Sequence, residues 1–127
     1  MKILIVDDSL MDRKLLSRTL TNAGIQEEIL LAENGEVGLK MVAENMADLA
    51  VIFLDYQMPN MSGLDVMSAL VKVPQTAAIP VFMVTASAAE ESRKAAYKVN
   101  PGLKGYITKP YKPADVIEAI RPYVHTA

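Results

Sequence analysis

Five polar residues close four runs that are otherwise apolar: Asp7 and Asp8 after Ile3-Leu4-Ile5-Val6, Asp55 after Val51-Ile52-Phe53-Leu54, Thr85 after Val81-Phe82-Met83-Val84, and Lys109 after Gly105-Tyr106-Ile107-Thr108. Three carboxylates, a hydroxyl and an ammonium form a hard, oxygen-rich set. Carboxylate oxygens with positions left open suit Mg²⁺, which keeps waters and completes its octahedron with phosphate oxygens. The chemistry implied is phosphoryl transfer. Thr85 can donate to one phosphoryl oxygen, Lys109 can neutralise another, and one carboxylate remains to attack. Asp55, on the central run, is the nucleophile this arrangement favours, and the adjacent Asp7-Asp8 pair is better placed to hold metal. Taken singly, each aspartate would pass for a turn former or helix cap, and Thr85 for an ordinary strand residue. Their conjunction carries the reading. Three carboxylates within contact distance repel unless a cation sits among them, so the metal-free site is expected to be destabilised.

The elements that must bring these residues together follow from periodicity. Short aliphatic runs alternate with segments of helical spacing, the pattern of repeated strand-helix units. Strands are predicted at residues 2–6, 28–31, 49–54, 80–84 and 105–108, and the central ones are almost continuously apolar, as buried parallel strands are. Helices are predicted at 10–23, stopped by Gly24; at 35–46, with Asn34 as cap; and at 64–71, where Ser62-x-x-Asp65 has the spacing of a capping box. Ser87-x-x-Glu90 repeats that spacing before a helix at 88–99, which Asn100-Pro101-Gly102 breaks. A last helix opens at Pro113 and is ended or kinked by Pro122. Strand-helix units with right-handed crossovers give a doubly wound α/β domain, a five-stranded parallel sheet with five helices on its two faces. Ligands bind such sheets beyond the carboxyl ends of the strands, where all five chemistry-bearing residues fall.

Composition narrows the function. The chain has 127 residues, 51% of them hydrophobic and 22% charged, which is the balance of one folded domain rather than a disordered polyelectrolyte. With no cysteine and the one histidine, His125, near the end, thiolate metal sites, cysteine nucleophiles and histidine cages are excluded. A net charge of −2 with scattered cations argues against nucleic-acid binding. Apolar runs are too short to cross a bilayer, and no signal-peptide pattern follows Met1-Lys2, so a cytoplasmic location without membrane association is expected.

Four motifs in order, ILIVDDS at residues 3–9, VIFLDYQMPNMSGL at 51–64, VFMVTA at 81–86 and GYITKP at 105–110, resemble the receiver domain of two-component response regulators. The resemblance covers essentially the whole chain. It implies a flavodoxin-like sheet of order 2-1-3-4-5. It also implies that Asp55 accepts a phosphoryl group from a histidine kinase or phosphotransfer protein in a Mg²⁺-dependent reaction. Metal would be held by Asp8 directly, Asp7 largely through water, Asp55 and the Gln57 backbone carbonyl. Thr85 and Lys109 match the residues that contact the phosphoryl group, and Tyr106 the aromatic switch that turns inward with Thr85. Gln57 and Ser87 lie at positions that tune hydrolysis of the phosphoaspartate. Output would pass to a downstream protein through the face formed by the fourth helix, fifth strand and fifth helix. Such a domain is a signalling switch, not an enzyme in the ordinary sense, and it would occupy residues 1–127, leaving no room for an output module.

Departures are few. Tyr111 stands where Phe often follows Lys-Pro, Ser62 where Asp is frequent before the glycine, and Asn100-Pro101 ends the fourth helix early enough to alter the expected output face. Met58 and Met61 are read as loop packing and core filler. Two rival readings conflict with the residues present. An aspartyl-phosphate phosphatase of the haloacid-dehalogenase kind needs an acid two residues after the nucleophile, where Gln57 stands. A flavodoxin-like flavin module would want a Ser/Thr/Gly-rich phosphate loop where Asp7-Asp8 stand.

Overall fold

The computed structural model describes residues 1–126. Five strands, β1 (Lys2–Val6), β2 (Glu28–Ala32), β3 (Leu49–Leu54), β4 (Val81–Thr85) and β5 (Gly105–Thr108), form one sheet of order β2-β1-β3-β4-β5. Every pairing is parallel. The expected doubly wound order is therefore observed. Five helices, α1 (Leu10–Asn22), α2 (Gly35–Asn45), α3 (Gly63–Val71), α4 (Glu90–Val99) and α5 (Pro113–Ile120), connect and cover the strands. A single helical turn, Pro74–Ala77, and a 3-10 turn, Arg121–Tyr123, complete the regular elements among the described residues.

Alternation along the strands assigns the two cores. Leu4, Val6, Ile52, Leu54 and Met83 face one way and meet Val42 of α2, Val66, Met67 and Leu70 of α3, and Ala96 of α4. Ile3, Ile5, Val51, Phe53 and Phe82 face the other way and meet Leu16 and Leu20 of α1 and Val116 and Ile120 of α5. All six residues of β3 are buried, which explains its unbroken apolar run, whereas the edge strand β5 is half-buried throughout. Chain order reverses between β1 and β3, so their carboxyl ends bound the crevice.

Local chemistry sets the helix starts. Ser9 caps α1 by accepting the Asp12 amide, and Asn34 caps α2 by accepting that of Val37. The Ser62-Asp65 box is formed in both directions at the head of α3. Ser87 does not cap α4: the helix starts at Glu90 behind Ala89, which offers no side-chain cap. The reason lies one strand earlier, because the Thr85 hydroxyl accepts the Ser87 amide and holds residues 85–87 in a turn, while Ser87 Oγ pairs with Ser92 Oγ. β4 also runs one residue later than predicted, so Thr85 pairs with Thr108 inside the sheet; Pro80, which lacks an amide hydrogen, precedes it. At the other break, Asn100 is buried and its side-chain carbonyl accepts the Gly102 amide.

Close contacts fix both ends of the sheet. At Gly63 a Cβ would collide with the Asp55 carbonyl oxygen, and the Gly63 amide donates to Tyr56 O at 2.8 Å, so α3 begins pressed against the end of β3. At the opposite end of the strands, the C-terminal segment returns beside the entry to β2, where Gln26 N donates to His125 O at 2.9 Å and Ile25 bridges to Thr126. There the buried Glu27 carboxylate accepts the His125 amide at 3.0 and 3.1 Å, and His125 Nδ1 lies 2.8 Å from Glu27 Oε2.

Candidate functional site

The β1-β3 crevice collects the predicted residues. Asp55 N donates to Val6 O, and Asp7 N to Ala32 O, so both aspartates are carried on the sheet ladder one step past the last strand residue. Asp7 and Asp55 are buried and Asp8 is exposed, and one carboxylate oxygen from each lies within 4.8 Å of the others. Among the described residues this is the one such group of three or more potential metal ligands. Its all-oxygen donor set, open to solvent on the Asp8 side, fits Mg²⁺.

Lys109 provides the cluster's own cation. Its Nζ lies 2.7 Å from Asp7 Oδ2, 2.9 Å from Asp12 Oδ2 and 3.7 Å from Asp55 Oδ2. Burial disfavours the ammonium, but hydrogen bonds to Asp7 and Asp12 outweigh it and hold the group well above its ordinary pKa. Asp7 is fixed from both sides: Oδ1 accepts the Ser9 amide at 2.9 Å, and its carbonyl accepts from the Arg13 guanidinium at 2.7 Å. Asp55 has no such supply of donors. Burial first, and then the charge of Asp7, push its carboxyl up to about 6, against the opposing pull of Lys109 and the Tyr56 amide. A carboxylate raised in this way is less hydrated and more basic, both useful in a nucleophile.

Thr85 is buried at the end of β4, and its hydroxyl, which accepts the Ser87 amide, keeps its own proton for another acceptor. Tyr106 is half-buried and donates through its hydroxyl to Ser87 O at 2.7 Å, so Thr85 and Tyr106 are tied to one loop. The Arg93 guanidinium sits 5.7 Å from the Tyr106 ring centre and 5.9 Å from that of Tyr97. Burial pushes the Tyr106 hydroxyl up. Gln57 is exposed in the loop after β3, and Met58 and Met61 pack against the core beneath it. Asp12 is the participant that sequence reading missed. Its signal was the Ser9-x-x-Asp12 spacing, which returns a first-turn side chain toward the strand end.

The profile of the response regulator receiver domain family matches residues 3–121. The chain belongs to that family. Chemotaxis protein CheY1 of Helicobacter pylori is 32% identical over 126 residues, covering 99% of this chain and 98% of that protein. The phosphate regulon transcriptional regulatory protein PhoB of Pseudomonas aeruginosa is 33% identical over 94% of this chain, which spans 49% of that longer protein. Among solved structures, chemotaxis protein CheY4 of Vibrio cholerae superposes with a TM-score of 0.83 at 30% identity, covering 96% of this chain and 97% of that one. Receiver domains of this type are phosphorylation-dependent signalling modules rather than ordinary enzymes, and Mg²⁺ in an acidic pocket is typical of them. In this receiver no helix among the described residues is long and apolar enough to cross a membrane.

Proposed function

We propose that Asp55 accepts a phosphoryl group from a histidine kinase or phosphotransfer protein, and that the modified domain signals by changed protein contacts. The supporting observation is the convergence of Asp7, Asp8 and Asp55 oxygens within 4.8 Å, with Lys109 Nζ 3.7 Å from Asp55 and a proton-bearing Thr85 at the neighbouring strand end. An Asp55 carboxylate oxygen attacks phosphorus in line, the bond from phosphorus to the donor's histidine nitrogen breaks, and that nitrogen keeps the electron pair. Asp7, Asp8, Asp55 and the Gln57 carbonyl would hold Mg²⁺, which supplies charge neutralisation between the carboxylates and the incoming phosphoryl oxygens. Lys109 pairs with one of those oxygens and Thr85 donates to another. Thr85 and Tyr106 share the Ser87 loop, so a pull on Thr85 reaches the surface of α4, β5 and α5, which is the face offered to the downstream protein. Gln57 and Ser87 border the phosphoryl position and tune its hydrolysis. The signalling unit is residues 1–127, acting in the cytoplasm through proteins rather than through nucleic acid or membrane.

Acetyl phosphate with Mg²⁺ is expected to add one phosphoryl group, visible by intact mass. Asp55→Asn should remove it, and undiminished labelling of that variant would sink the assignment.

A further inference from the structure

The capping boxes of α1 and α3 have the same sequence spacing and different outcomes. Ser62 and Asp65 exchange both hydrogen bonds. Ser9 accepts the Asp12 amide at 3.2 Å, but the Ser9 amide goes to Asp7 Oδ1, so the Asp12 carboxylate is released from the helix end. It turns instead to Lys109, across 97 residues of sequence, at 2.9 Å. An ammonium has three N–H donors, and here two are committed to carboxylates at hydrogen-bond distance. At 3.7 Å Asp55 lies beyond that distance. One donor remains, and the charge is shared with two carboxylates before any anion arrives on Asp55. The contact Lys109 can most readily surrender is the one to Asp12, whose side chain is 41% exposed and can rehydrate, whereas that of Asp7 is 8% exposed.

Resting on the assignment of Asp55 as phosphoryl acceptor, we propose that Asp12 is a positioning residue that holds Lys109 back from the phosphoryl group and so sets how tightly the activated state is bound. It touches no reacting atom. Its carboxylate competes with the phosphoryl oxygens for one ammonium, and the domain is activated when the phosphoryl group wins.

The test is titration with beryllofluoride, a phosphoryl mimic, at Mg²⁺ concentrations shown to saturate each variant, read by tyrosine fluorescence and by a thermal shift. Asp12→Asn is expected to bind the mimic about three- to tenfold more tightly, the size of one partly exposed charge-assisted contact. Asp12→Glu, which keeps the charge, should stay near the unmodified chain. In a Lys109→Ala background the gain from Asp12→Asn should vanish, and binding too weak to detect in both members of that pair counts as the same dependence on Lys109. Unchanged or weaker binding by Asp12→Asn overturns the proposal, as does an equal gain without Lys109, which would make Asp12 a bare repelling charge. Failure of the unmodified chain to bind beryllofluoride would instead overturn the acceptor assignment, and the proposal with it.

Discussion

Asp55 and Glu27 are both buried carboxylates, one just past the carboxyl end of the central strand β3 and one just before the amino end of β2, and their surroundings drive them in opposite directions. Glu27 is also desolvated, but the His125 amide and ring outweigh burial and hold its carboxyl below the ordinary range. Asp55 faces Asp7 and Asp8, and burial and repulsion raise it to about 6. Burial alone does not decide the charge of a group; the supply of donors does. The Glu27 end is electrostatically complete in the folded chain. At the Asp55 end, Asp7, Asp8, Asp55 and Asp12 surround the one ammonium of Lys109, so negative charge is in excess.

The largest expected effect tests the Asp55 end. Without metal, Asp55→Asn should raise the unfolding free energy at pH 7.5 by about 3 kcal/mol, the order implied by a carboxyl lifted from 3.8 to about 6. The sign follows from linkage. Below pH 3.8 the group is neutral folded and unfolded and the gain is absent; it grows toward pH 6 and is full above. Chemical denaturation across that range checks it, and added Mg²⁺ should stabilise the unmodified chain more than the variant. A gain that does not change with pH would break the contrast.

The Glu27 end should respond in reverse. Glu27→Gln removes a charge-assisted acceptor and is expected to cost about 1–2 kcal/mol at neutral pH. Because the folded carboxyl lies below its ordinary 4.5, this contribution is present above that value and is lost as pH falls through the lower folded value. Comparing unfolding of the variant and the unmodified chain at pH 7 and pH 3 measures it. The smallest effect sharpens the comparison of the two helix starts: Ser62→Ala, at a reciprocal box, should cost about 1 kcal/mol by thermal unfolding while leaving beryllofluoride affinity unchanged.

Much of the site was legible because a polar residue that ends an apolar strand is a local signal. Asp7, Asp8, Asp55, Thr85 and Lys109 each carry it, and the sheet needs only its ordinary topology to bring them together. The contacts of Asp12 and of Glu27 with His125 span 97 and 98 residues and leave no periodic trace, so they emerge only in three dimensions. The turn at Pro74–Ala77 is too short for helical periodicity to register. Ser87 fails as a cap for a different reason: its spacing to Glu90 fits a box, but the turn held by Thr85 leaves it two residues ahead of the Ala89 cap position, and its hydroxyl pairs with Ser92 instead.

The contact between Gly63 and the end of β3 divides the crevice into an anvil and its moving parts. With α3 seated directly on the Asp55 carbonyl, the backbone that carries Asp55 is closely backed by the helix start. Adjustment to an incoming group must then fall to the other side, to the Ser87 loop with Thr85 and Tyr106 and to the Lys109 side chain. If Asp55 takes a phosphoryl group as proposed, its message is thus directed toward one flank of the domain before any partner is met. A methyl group at position 63 would unseat the anvil and take away that direction.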